Sequence, residues 1–484
     1  MSQSKLPNVL IFMTDHQRGD TVLADHPCKT PNLDRFRSQG VTFRNTFCPS
    51  PHCCPSRATF MTGHYPSRHG VWNNVCNPTA LTRGVPADMR QWSQDLSEAG
   101  YDLAYSGKWH VSSDQSPADR AWRELFVSAQ EYNPVGNNWK HYENVVKEPP
   151  AQRRGEGEIL RPGYGTYTVY RSSGDARPRH DETAVQAALE ELPRLAEGGR
   201  PWALFVGATC PHDPYVAPQK YLDMYRLEDI PLPAAYRDNF QDKPRVYKRM
   251  RDLRWGQLTE TEVRQAVRHF WALCSYLDDL FGRLLNALDA TGQADNTLVL
   301  YCADHGDYCG EHGLFAKGIP CFRGAYHVPA VIRWPAGVAQ PGRKVDQFVS
   351  LADFAPTMTE LGGRTPASGL AGRSLLPFLR GRIPDDWRDE IHTQCNGVEL
   401  LYTQRSVTTA RWKYVYNGFD EDELYDLAAD PHEMRNLASS EAHRDVKRDL
   451  CRRMWRFARQ HGDAAVQQYI TVSLAPWGPA EALR

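Results

Sequence analysis

A short segment near the N-terminus combines a thiol, a proline and an arginine at close spacing. Residues 53–57 read Cys-Cys-Pro-Ser-Arg, and the run continues to Gly63. Pro55 suits the first turn of a helix, where its missing N–H costs nothing. Position 53 is therefore expected just before a helix N-terminus, where free N–H groups and the helix dipole favour an anion. Arg57, one turn further on, can hydrogen-bond oxygens at that point, so the segment predicts an anion site at Cys53.

Two simpler interpretations of this segment stay open at this point. Cys53 could be an ordinary buried thiol, because cysteine is among the residue types most often buried. Alternatively, four residues could form a zinc knuckle: Cys48, His52, Cys53 and Cys54. A structural zinc site normally takes two spaced pairs of ligands, and neither interpretation explains the rest of the motif.

Four apolar, β-rich runs end in, or lead into, polar residues that could do chemistry. The runs cover residues 8–15, 101–110, 202–206 and 297–301, and the polar residues are Asp15, Lys108, His110, His212, Asp304 and His305. Ligands of open α/β sheets bind just beyond the carboxyl ends of the strands, so we expect these side chains to meet in one crevice. Asp15 and Asp304 end buried strands, where an ionised carboxylate is costly unless it is paired or bound to a metal. A helix N-cap is the simpler alternative for either residue.

The same runs belong to a pattern in which short apolar segments alternate with helical ones. This pattern predicts an α/β fold with a large, mostly parallel sheet flanked by helices. Residues 111–200 and 215–260 are expected to be long excursions that could shape a substrate pocket. After Pro384, short strands around 390–394, 406–409 and 412–416 precede a helix over 441–460.

We therefore predict two units. Residues 1–384 form a catalytic α/β domain, and residues 385–484 form a small C-terminal α+β subdomain that contains an antiparallel sheet. The residues from 470 onwards have no clear period and are expected to be a frayed tail rather than a strap on a neighbouring surface.

Composition and charge exclude several classes of protein. Of the 484 residues, 41% are hydrophobic and 24% are charged, and the formal net charge is -1. A near-neutral chain lacks the electrostatic signature of a nucleic-acid-binding or membrane-surface protein. The apolar run over residues 9–13 is too short for a secretory signal, and no stretch approaches the roughly 20 apolar residues of a membrane span. We expect a cytoplasmic protein with reduced cysteines, and homo-oligomerisation stays open.

Residues 53–63 resemble the C-x-P-S-R and T-G signature of type I sulfatases, the formylglycine-dependent branch of the alkaline phosphatase superfamily. The chain is similar to arylsulfatases, choline sulfatases and phosphonate monoester hydrolases of that superfamily. Three further segments match in the same order: residues 107–110, residues 304–307 with 313–318, and residues 423–427. Because four segments match in order, the resemblance covers nearly the whole chain.

The resemblance implies a modified residue and a metal site. Cys53, rather than its neighbour, would be oxidised to formylglycine by a maturation enzyme. Oxygens of Asp15, Asp304 and residue 53, with a nitrogen of His305, would hold one divalent cation. Calcium is the expected ion, and the imidazole ligand also admits manganese. Many family members have a second aspartate where this chain has His16, so His16 stays open as a ligand, a substrate contact or a bystander.

Five basic residues match the sulfate-binding and proton-transfer groups of the family: Arg57, Lys108, His110, His212 and Lys317. By the resemblance, Arg57, Lys108 and Lys317 spread the charge that develops on the sulfate oxygens. His110 would take a proton from the hydrated aldehyde. His212 with Lys317 would protonate the leaving oxygen.

The implied function is hydrolysis of a sulfate monoester, from a small molecule or a saccharide, to an alcohol and inorganic sulfate. The nucleophile would be the gem-diol of formylglycine, assisted by the cation. The first alternative is a phosphonate monoester or phosphodiester hydrolase of the same superfamily. A non-catalytic protein that binds sulfated glycans would need an unmodified Cys53 and a degraded cation site. A two-zinc phosphatase would need Ser or Thr in place of Cys53.

Overall fold

A mixed sheet of nine strands forms the centre of the molecule in the part of the chain that the structure describes. The structure is a computed structural model that describes residues 6–128, 143, 153–161, 165–398 and 400–483. In chain order the strands are β1 (Asn8–Asp15), β2 (Val41–Phe47), β3 (Asp102–Gly107), β4 (Arg123–Val127), β5 (Glu158–Arg161), β6 (Gly165–Thr168), β7 (Tyr170–Ser172), β8 (Trp202–Pro211), β9 (Tyr215–Ala217), β10 (Thr297–Ala303), β11 (His327–Val328), β12 (Ala330–Arg333), β13 (Arg343–Ser350), β14 (Glu390–Cys395), β15 (Gln404–Thr409), β16 (Trp412–Asn417) and β17 (Glu423–Asp426).

The α-helices connect and cover these strands. In chain order they are α1 (Pro31–Ser38), α2 (Cys53–Thr62), α3 (Pro66–His69), α4 (Trp92–Glu98), α5 (Arg179–Glu197), α6 (Gln219–Leu222), α7 (Arg245–Leu253), α8 (Glu260–Ala290), α9 (Arg323–Tyr326), α10 (Phe354–Leu361), α11 (Leu376–Leu379), α12 (Arg444–Gln460) and α13 (Tyr469–Leu474). No helix within the described ranges combines the length and the apolar character needed to cross a membrane.

Strand β1 lies in the middle of the large sheet, whose order is β11-β2-β12-β10-β1-β8-β3-β4, with β13 also paired to β2. Strands β4, β3, β8, β1 and β10 run parallel, whereas β12 is antiparallel to both β10 and β2. Every residue of β1 is buried, as expected for a strand covered on both faces. The predicted α/β fold with a mostly parallel sheet is confirmed.

Helices cover both faces of this sheet. In the register of β1 and β8, Ile11 lies opposite Phe205, so Phe12 points to the other face from Phe205. Phe60 of α2 contacts Phe205, with ring centroids 6.2 Å apart, and Phe281 of α8 contacts Phe12 at 5.5 Å. Helices α2 and α8 therefore lie on opposite faces, and the N-terminus of α2 can approach the carboxyl ends of the parallel strands.

The C-terminal region contains the predicted antiparallel sheet, with the order β14-β15-β16-β17. The predicted strands and the helix α12 agree with the structure to within a few residues, but the pattern did not predict β17. Helix α12 packs on this sheet through Met454 and Trp455, which share a core with Val407 and Tyr414. The proposed boundary after residue 384 stays a prediction.

The last described residues contact helix α12, so the prediction of a frayed tail is wrong for them. The backbone carbonyl of Trp477 accepts hydrogen bonds from Trp455 Nε1 at 2.7 Å and from Cys451 Sγ at 3.4 Å. Glu481 forms an ion pair with Arg448 at 3.0 Å. A buried indole N–H needs an acceptor, and the tail supplies it, which explains why this segment is held as a strap.

Candidate active site

The ends of two neighbouring strands bring a buried acidic pair to the N-terminus of α2. Thr14 pairs with Ala303 in the parallel register of β1 and β10, so Asp15 and Asp304 emerge side by side. Cys53 is the first residue of α2 and follows the N-cap residue His52, so it lies inside the first turn, one step later than predicted. One ligand atom from each of four buried residues lies within 4.8 Å of the others: Asp15, Cys53, Asp304 and His305.

Two cations orient the two carboxylates of this group. Lys108 Nζ bonds Oδ2 of Asp15, and Arg57 Nε donates to Oδ2 of Asp304 at 2.7 Å. The other oxygens face His305, whose Nε2 lies 3.3 Å from Asp15 Oδ1 and 3.7 Å from Asp304 Oδ1. Each carboxylate is therefore neutralised on one side and presents its second oxygen to a common point.

His305 contributes a ring nitrogen to the same point. Its Nδ1 lies 3.0 Å from the carbonyl oxygen of Gly306, which can only accept, so Nδ1 carries the proton. The other ring nitrogen, Nε2, faces Cys53 Sγ at 3.2 Å. Burial opposes a charge on His305, but the charges of Asp304 and Cys53 outweigh it and raise the pKa of the imidazole to about 9. The group therefore favours a positive charge at its centre.

These donors fit a divalent cation. Two carboxylate oxygens, one imidazole nitrogen and one atom of residue 53 form a mixed oxygen and nitrogen set. Carboxylates suit calcium and manganese, and an imidazole ligand is compatible with manganese and zinc. The Nδ1 bond to a backbone carbonyl is the kind of second contact that fixes a metal-binding histidine.

Cys53 and Cys54 are neighbours with opposite environments. Burial and the charge of Asp15 oppose ionisation of Cys53, but Lys108, Lys317 and His305 hold the pKa of its thiol well below the usual value. Burial and the adjacent Cys53 raise the pKa of Cys54, whose Sγ accepts a bond from the Val75 N–H at 3.4 Å. Only Cys53 is placed as a reactive group.

The structure does not bring the zinc-knuckle residues together. Cys48 Sγ lies 3.8 Å from the carbonyl oxygen of Ala325, and His52 Nδ1 lies 3.6 Å from Cys395 Sγ. Within the described residues, no potential metal-binding group contains Cys48, His52 or Cys54. All twelve cysteines are free thiols.

Lys108 and His110 reach the site because β3 and β8 approach closely at their ends. Gly107 has a φ of 101°, and a Cβ there would lie 2.0 Å from the carbonyl oxygen of Gly207, so glycine is required. His110 also has a positive φ, 55°, and its buried Nδ1 has no hydrogen-bond partner within the described residues. Burial and Lys108 lower the pKa of His110, and the nearby charge of Cys53 opposes this. A neutral imidazole is thus available beside residue 53.

His212 and Lys317 form a second polar pair in the crevice. His212 follows the end of β8, and its Nδ1 donates to the backbone carbonyl of Asp213 at 2.7 Å. Lys317 Nζ lies 2.8 Å from His212 Nε2. Burial opposes the charge of Lys317, but Cys53, Asp15 and Asp213 raise the pKa of its ammonium group. Lys317 therefore keeps its positive charge and donates a hydrogen bond to Nε2 of His212.

The structure adds three residues for which the sequence predicted no definite role: the buried His16 and Asp307 and the partly buried Asp213. His16 is 0% exposed and lies between Asp213, 3.4 Å from Nδ1, and Asp307, 3.3 Å from Nε2. Burial raises the pKa of Asp307 to about 7, although Tyr215 donates a hydrogen bond to it. Among the described residues, His16, His212 and Asp213 form a second potential metal-binding group, separate from the four-residue group around Cys53. The only signal in the sequence was adjacency, because each residue lies within two positions of a predicted site residue.

Comparisons with known proteins agree with this architecture. The family model described as Sulfatase matches residues 7–363, and the model described as N-sulphoglucosamine sulphohydrolase, C-terminal, matches residues 310–460. A choline-sulfatase of Rhizobium meliloti is 31% identical over 90% of this chain and 83% of its own length. The multifunctional alkaline phosphatase superfamily protein PehA of Trinickia caryophylli is 30% identical over 96% of this chain and 97% of its own. The crystal structure of the phosphonate monoester hydrolase of Agrobacterium radiobacter superposes with a TM-score of 0.75 and 26% identity, covering 94% of this chain and 96% of that one.

The fold and the matched relatives place the chain in the alkaline phosphatase superfamily. Within that superfamily the chain belongs to the sulfatase family, because the family model matches well over half of its length. The protein is a sulfatase, an enzyme whose substrates are sulfate esters.

Proposed function

We propose that this sulfatase hydrolyses a sulfate monoester with residue 53 as formylglycine and with one divalent cation, calcium being the expected ion. The observation that carries the proposal is the convergence of Asp15, Asp304 and His305 on the side chain of Cys53 within 4.8 Å. A thiol is a soft ligand among hard carboxylates, whereas an oxygen at this position would complete a set suited to calcium. Oxidation by a maturation enzyme supplies that oxygen.

Formylglycine at residue 53 and the divalent cation would each supply a defined part of the chemistry. When residue 53 is formylglycine, its hydrated aldehyde supplies one hydroxyl that displaces the alcohol from sulfur and a second whose deprotonation returns the aldehyde and releases sulfate. The cation, when bound, supplies Lewis-acid polarisation and neutralises charge.

The basic residues bind and orient the sulfate group. Lys108, which lies beside Asp15, is only 4% exposed, so it acts in a site with little water. Arg57 holds Asp304 through Nε and the carbonyl of Lys108 through Nη1 at 2.8 Å, and its buried Nη2 has no partner within the described residues. We assign Nη2 to an oxygen bound at residue 53. Hydrogen bonds of this kind are strong in a dry site.

Two groups move protons in opposite directions. His110 is neutral because burial lowers its pKa, and its imidazole, which interacts with Cys53, can take a proton from residue 53. Lys317 carries a proton and contacts His212 at 2.8 Å, so this pair can deliver a proton to the leaving oxygen. The two functions lie on different strand ends, which lets a base and an acid act at one sulfur atom.

A phosphonate monoester or phosphodiester is the second candidate substrate. The relative PehA is named multifunctional, and the matched crystal structure is named a phosphonate monoester hydrolase. Sulfate monoesters, phosphodiesters and phosphonate monoesters all carry one negative charge at the reacting group, so charge alone does not separate them.

The test compares kcat/KM for an aryl sulfate and the matching aryl phosphonate on protein whose residue 53 is fully modified. We expect the sulfate to be preferred, in keeping with the matched family. A large excess for the phosphonate would overturn this choice in favour of the second candidate. Turnover of neither ester would contradict the proposed chemistry as a whole.

A further inference from the structure

A cavity of about 420 Å³ opens beside Lys317. Its volume lies within the range of small-molecule sites, about 300–1,000 Å³. Its described lining contains four nitrogen-bearing side chains and no acidic one; the four are His52, Arg161, Arg254 and Lys317. Apolar and aromatic side chains complete it, among them Met250, Leu400 and Tyr402. The cavity is therefore continuous with the reaction site but has a different chemical character.

Three of the four nitrogen-bearing side chains are cationic. Lys317 serves the reacting sulfate in the proposed function. Arg254 has no part in that reaction, so its charge in the wall of this cavity calls for another explanation.

The two guanidinium groups rest on one aromatic pair. Arg161 lies over the ring of Tyr167, 5.5 Å from its centroid, and Arg254 lies over the ring of Trp255 at 4.7 Å. The Tyr167 and Trp255 rings contact each other edge to face at 6.4 Å. Stacking on aromatic faces limits the freedom of an arginine side chain, so less order has to be imposed when a ligand binds.

The backbone around these arginines is also held in place. Gln257 bonds the backbone of Leu160 in both directions, with Leu160 N–H donating to Oε1 at 2.8 Å and Nε2 donating to the carbonyl at 2.9 Å. This contact ties strand β5, which ends at Arg161, to the short turn that follows Arg254. The two arginines therefore form one rigid unit.

Arg254 carries an uncompensated charge. Among the ion pairs of the described residues, its neighbour Arg251 binds Asp252, but Arg254 has no carboxylate partner. An arginine that is stacked and oriented but not neutralised presents its planar set of donors to the solvent or to a ligand. That geometry matches a carboxylate or a sulfate, which accepts two parallel hydrogen bonds.

We propose that this cavity binds a second anionic group, a carboxylate or a sulfate, on the alcohol part of the ester that the enzyme cleaves. The inference rests on the proposed function, because it places that alcohol beside Lys317. An alcohol with a quaternary ammonium group is disfavoured, since it would meet the positive charges of Lys317 and Arg254 in a wall whose described residues include no acid. Substrate selection thus comes from charge beyond the reacting sulfate.

The experiment uses four aryl sulfates on one scaffold and the fully modified enzyme. These are 3-carboxyphenyl sulfate, 1,3-phenylene disulfate, 3-carbamoylphenyl sulfate and 3-(trimethylammonio)phenyl sulfate, with the disulfate rate halved for its two equivalent esters. Two of these esters, the carboxylate and the disulfate, carry a second negative charge, whereas the carbamoyl ester carries only the charge of the reacting sulfate. We expect kcat/KM for at least one of the two dianionic esters to exceed that of the carbamoyl ester by about tenfold, as one charge-assisted hydrogen bond allows. The larger of the two anionic values identifies the preferred group, and the cationic ester should be the slowest.

Variants assign the preference to the cavity. Arg254→Gln and Arg161→Gln should each reduce the ratio of anionic to neutral kcat/KM several-fold, and the preference should weaken with added salt. Arg226→Gln is the matched control, because Arg226 is exposed and pairs with Glu228 outside the cavity. If the carbamoyl ester is cleaved as fast as both dianionic esters, or if the trimethylammonio ester is cleaved fastest, the anion site is refuted while the proposed function stands. If none of the four esters is cleaved, the proposed function fails instead.

Discussion

Two clusters of buried charge lie in different regions of this molecule and are built in opposite ways. The active-site cluster consists of Asp15, Cys53, Arg57, Lys108, Asp304 and His305. By the C-terminal cluster we mean two ion pairs on opposite faces of the C-terminal sheet, Arg405 with Asp463 and Lys413 with Glu433. Members of both are almost fully buried, so burial alone does not distinguish them.

In the C-terminal cluster each charge meets a matched partner. Arg405 donates from Nε to one oxygen of Asp463 at 2.6 Å and from Nη2 to the other at 3.0 Å. Lys413 Nζ bonds Glu433 at 2.6 Å. These bidentate and paired contacts satisfy the groups that burial removes from water.

The active-site cluster leaves polar atoms without partners. Arg57 Nη2 and His110 Nδ1 are buried and make no hydrogen bond within the described residues. Two carboxylate oxygens and the sulfur of Cys53 converge, although all three carry or can carry negative charge. A buried group without a partner is costly, so such atoms mark the place where a ligand completes the structure.

Replacing Cys53 should have the largest effect on turnover, and this effect should arise from the active-site cluster alone. Cys53→Ala removes the residue that becomes the nucleophile, so turnover of an aryl sulfate should fall by more than about 1,000-fold. Cys54→Ala is the matched control, because it removes the adjacent buried thiol and should keep most of the turnover. Steady-state rates on both purified proteins check this. Equal loss in two folded variants would contradict the role of position 53.

Removing one carboxylate from each cluster should give two different losses. Asp304→Asn should lower cation affinity and rate together, by about 100-fold, because it removes a ligand and the partner of Arg57. Asp463→Asn should cost about 3–5 kcal/mol in the free energy of unfolding, because Arg405 stays buried without its partner. The rate per folded molecule should be retained in Asp463→Asn. Calorimetric titration with Ca²⁺ or Mn²⁺ and urea unfolding measure the two effects, and unchanged cation binding in Asp304→Asn would refute the metal site.

The loss of rate caused by Lys317→Ala should depend on the leaving group of the ester. A poor leaving group such as an alkoxide needs a proton, so rates on alkyl sulfates should fall by about 100-fold, while 4-nitrophenyl sulfate should lose much less. Lys248→Ala is the control, since this exposed lysine pairs with Asp252 on the surface of α7. An equal loss on both kinds of ester would remove Lys317 from proton transfer.

Acid should weaken both regions gradually, with a smaller effect per pH unit than any of the substitutions above. Burial lowers the pKa of His69, which contacts Thr59 of α2, to about 3, whereas an unfolded histidine has a pKa of about 6.5. Between these values the unfolded state binds a proton that the folded state does not, so the free energy of unfolding falls by about 1.4 kcal/mol per pH unit from this residue. Above pH 6.5 the contribution of His69 is fully present.

Urea unfolding between pH 6.5 and pH 3 tests this point. His69→Gln should make the decline shallower by that slope. His461→Gln, in the C-terminal region, should flatten it over a narrower window, because burial lowers the pKa of His461 only to about 4. A decline parallel to that of the unsubstituted protein in both variants would show that other groups control the acid response.

The sequence predicted the elements whose residues are uniformly apolar. Strands β1 and β10 were evident because buried parallel strands read as unbroken apolar runs, and their ends carry Asp15 and Asp304. The sequence pattern did not predict strand β2, because the strand contains the exposed Arg44 and the half-buried Asn45. The antiparallel insertion of β12 between β10 and β2 depends on pairing across distant segments, which local pattern does not encode.

The site was predictable where chemistry is concentrated in one segment. His16 was different, because its partners Asp213 and Asp307 come from the ends of other strands. Contacts across about 200 to 300 residues follow from the sheet order and not from spacing. The sequence pattern did not predict the strap formed by the tail for the same reason, since the carbonyl of Trp477 accepts hydrogen bonds from Trp455 and Cys451 of helix α12.

Peptide mass spectrometry of residue 53 tests the central claim most directly. The protein is produced with and without a formylglycine-generating enzyme, and the fraction of modified peptide is compared with the rate of sulfate release from an aryl sulfate. The account predicts loss of sulfur and gain of an aldehyde at Cys53, none at Cys54, and a rate proportional to the modified fraction. Full activity with an intact thiol at residue 53 would contradict it.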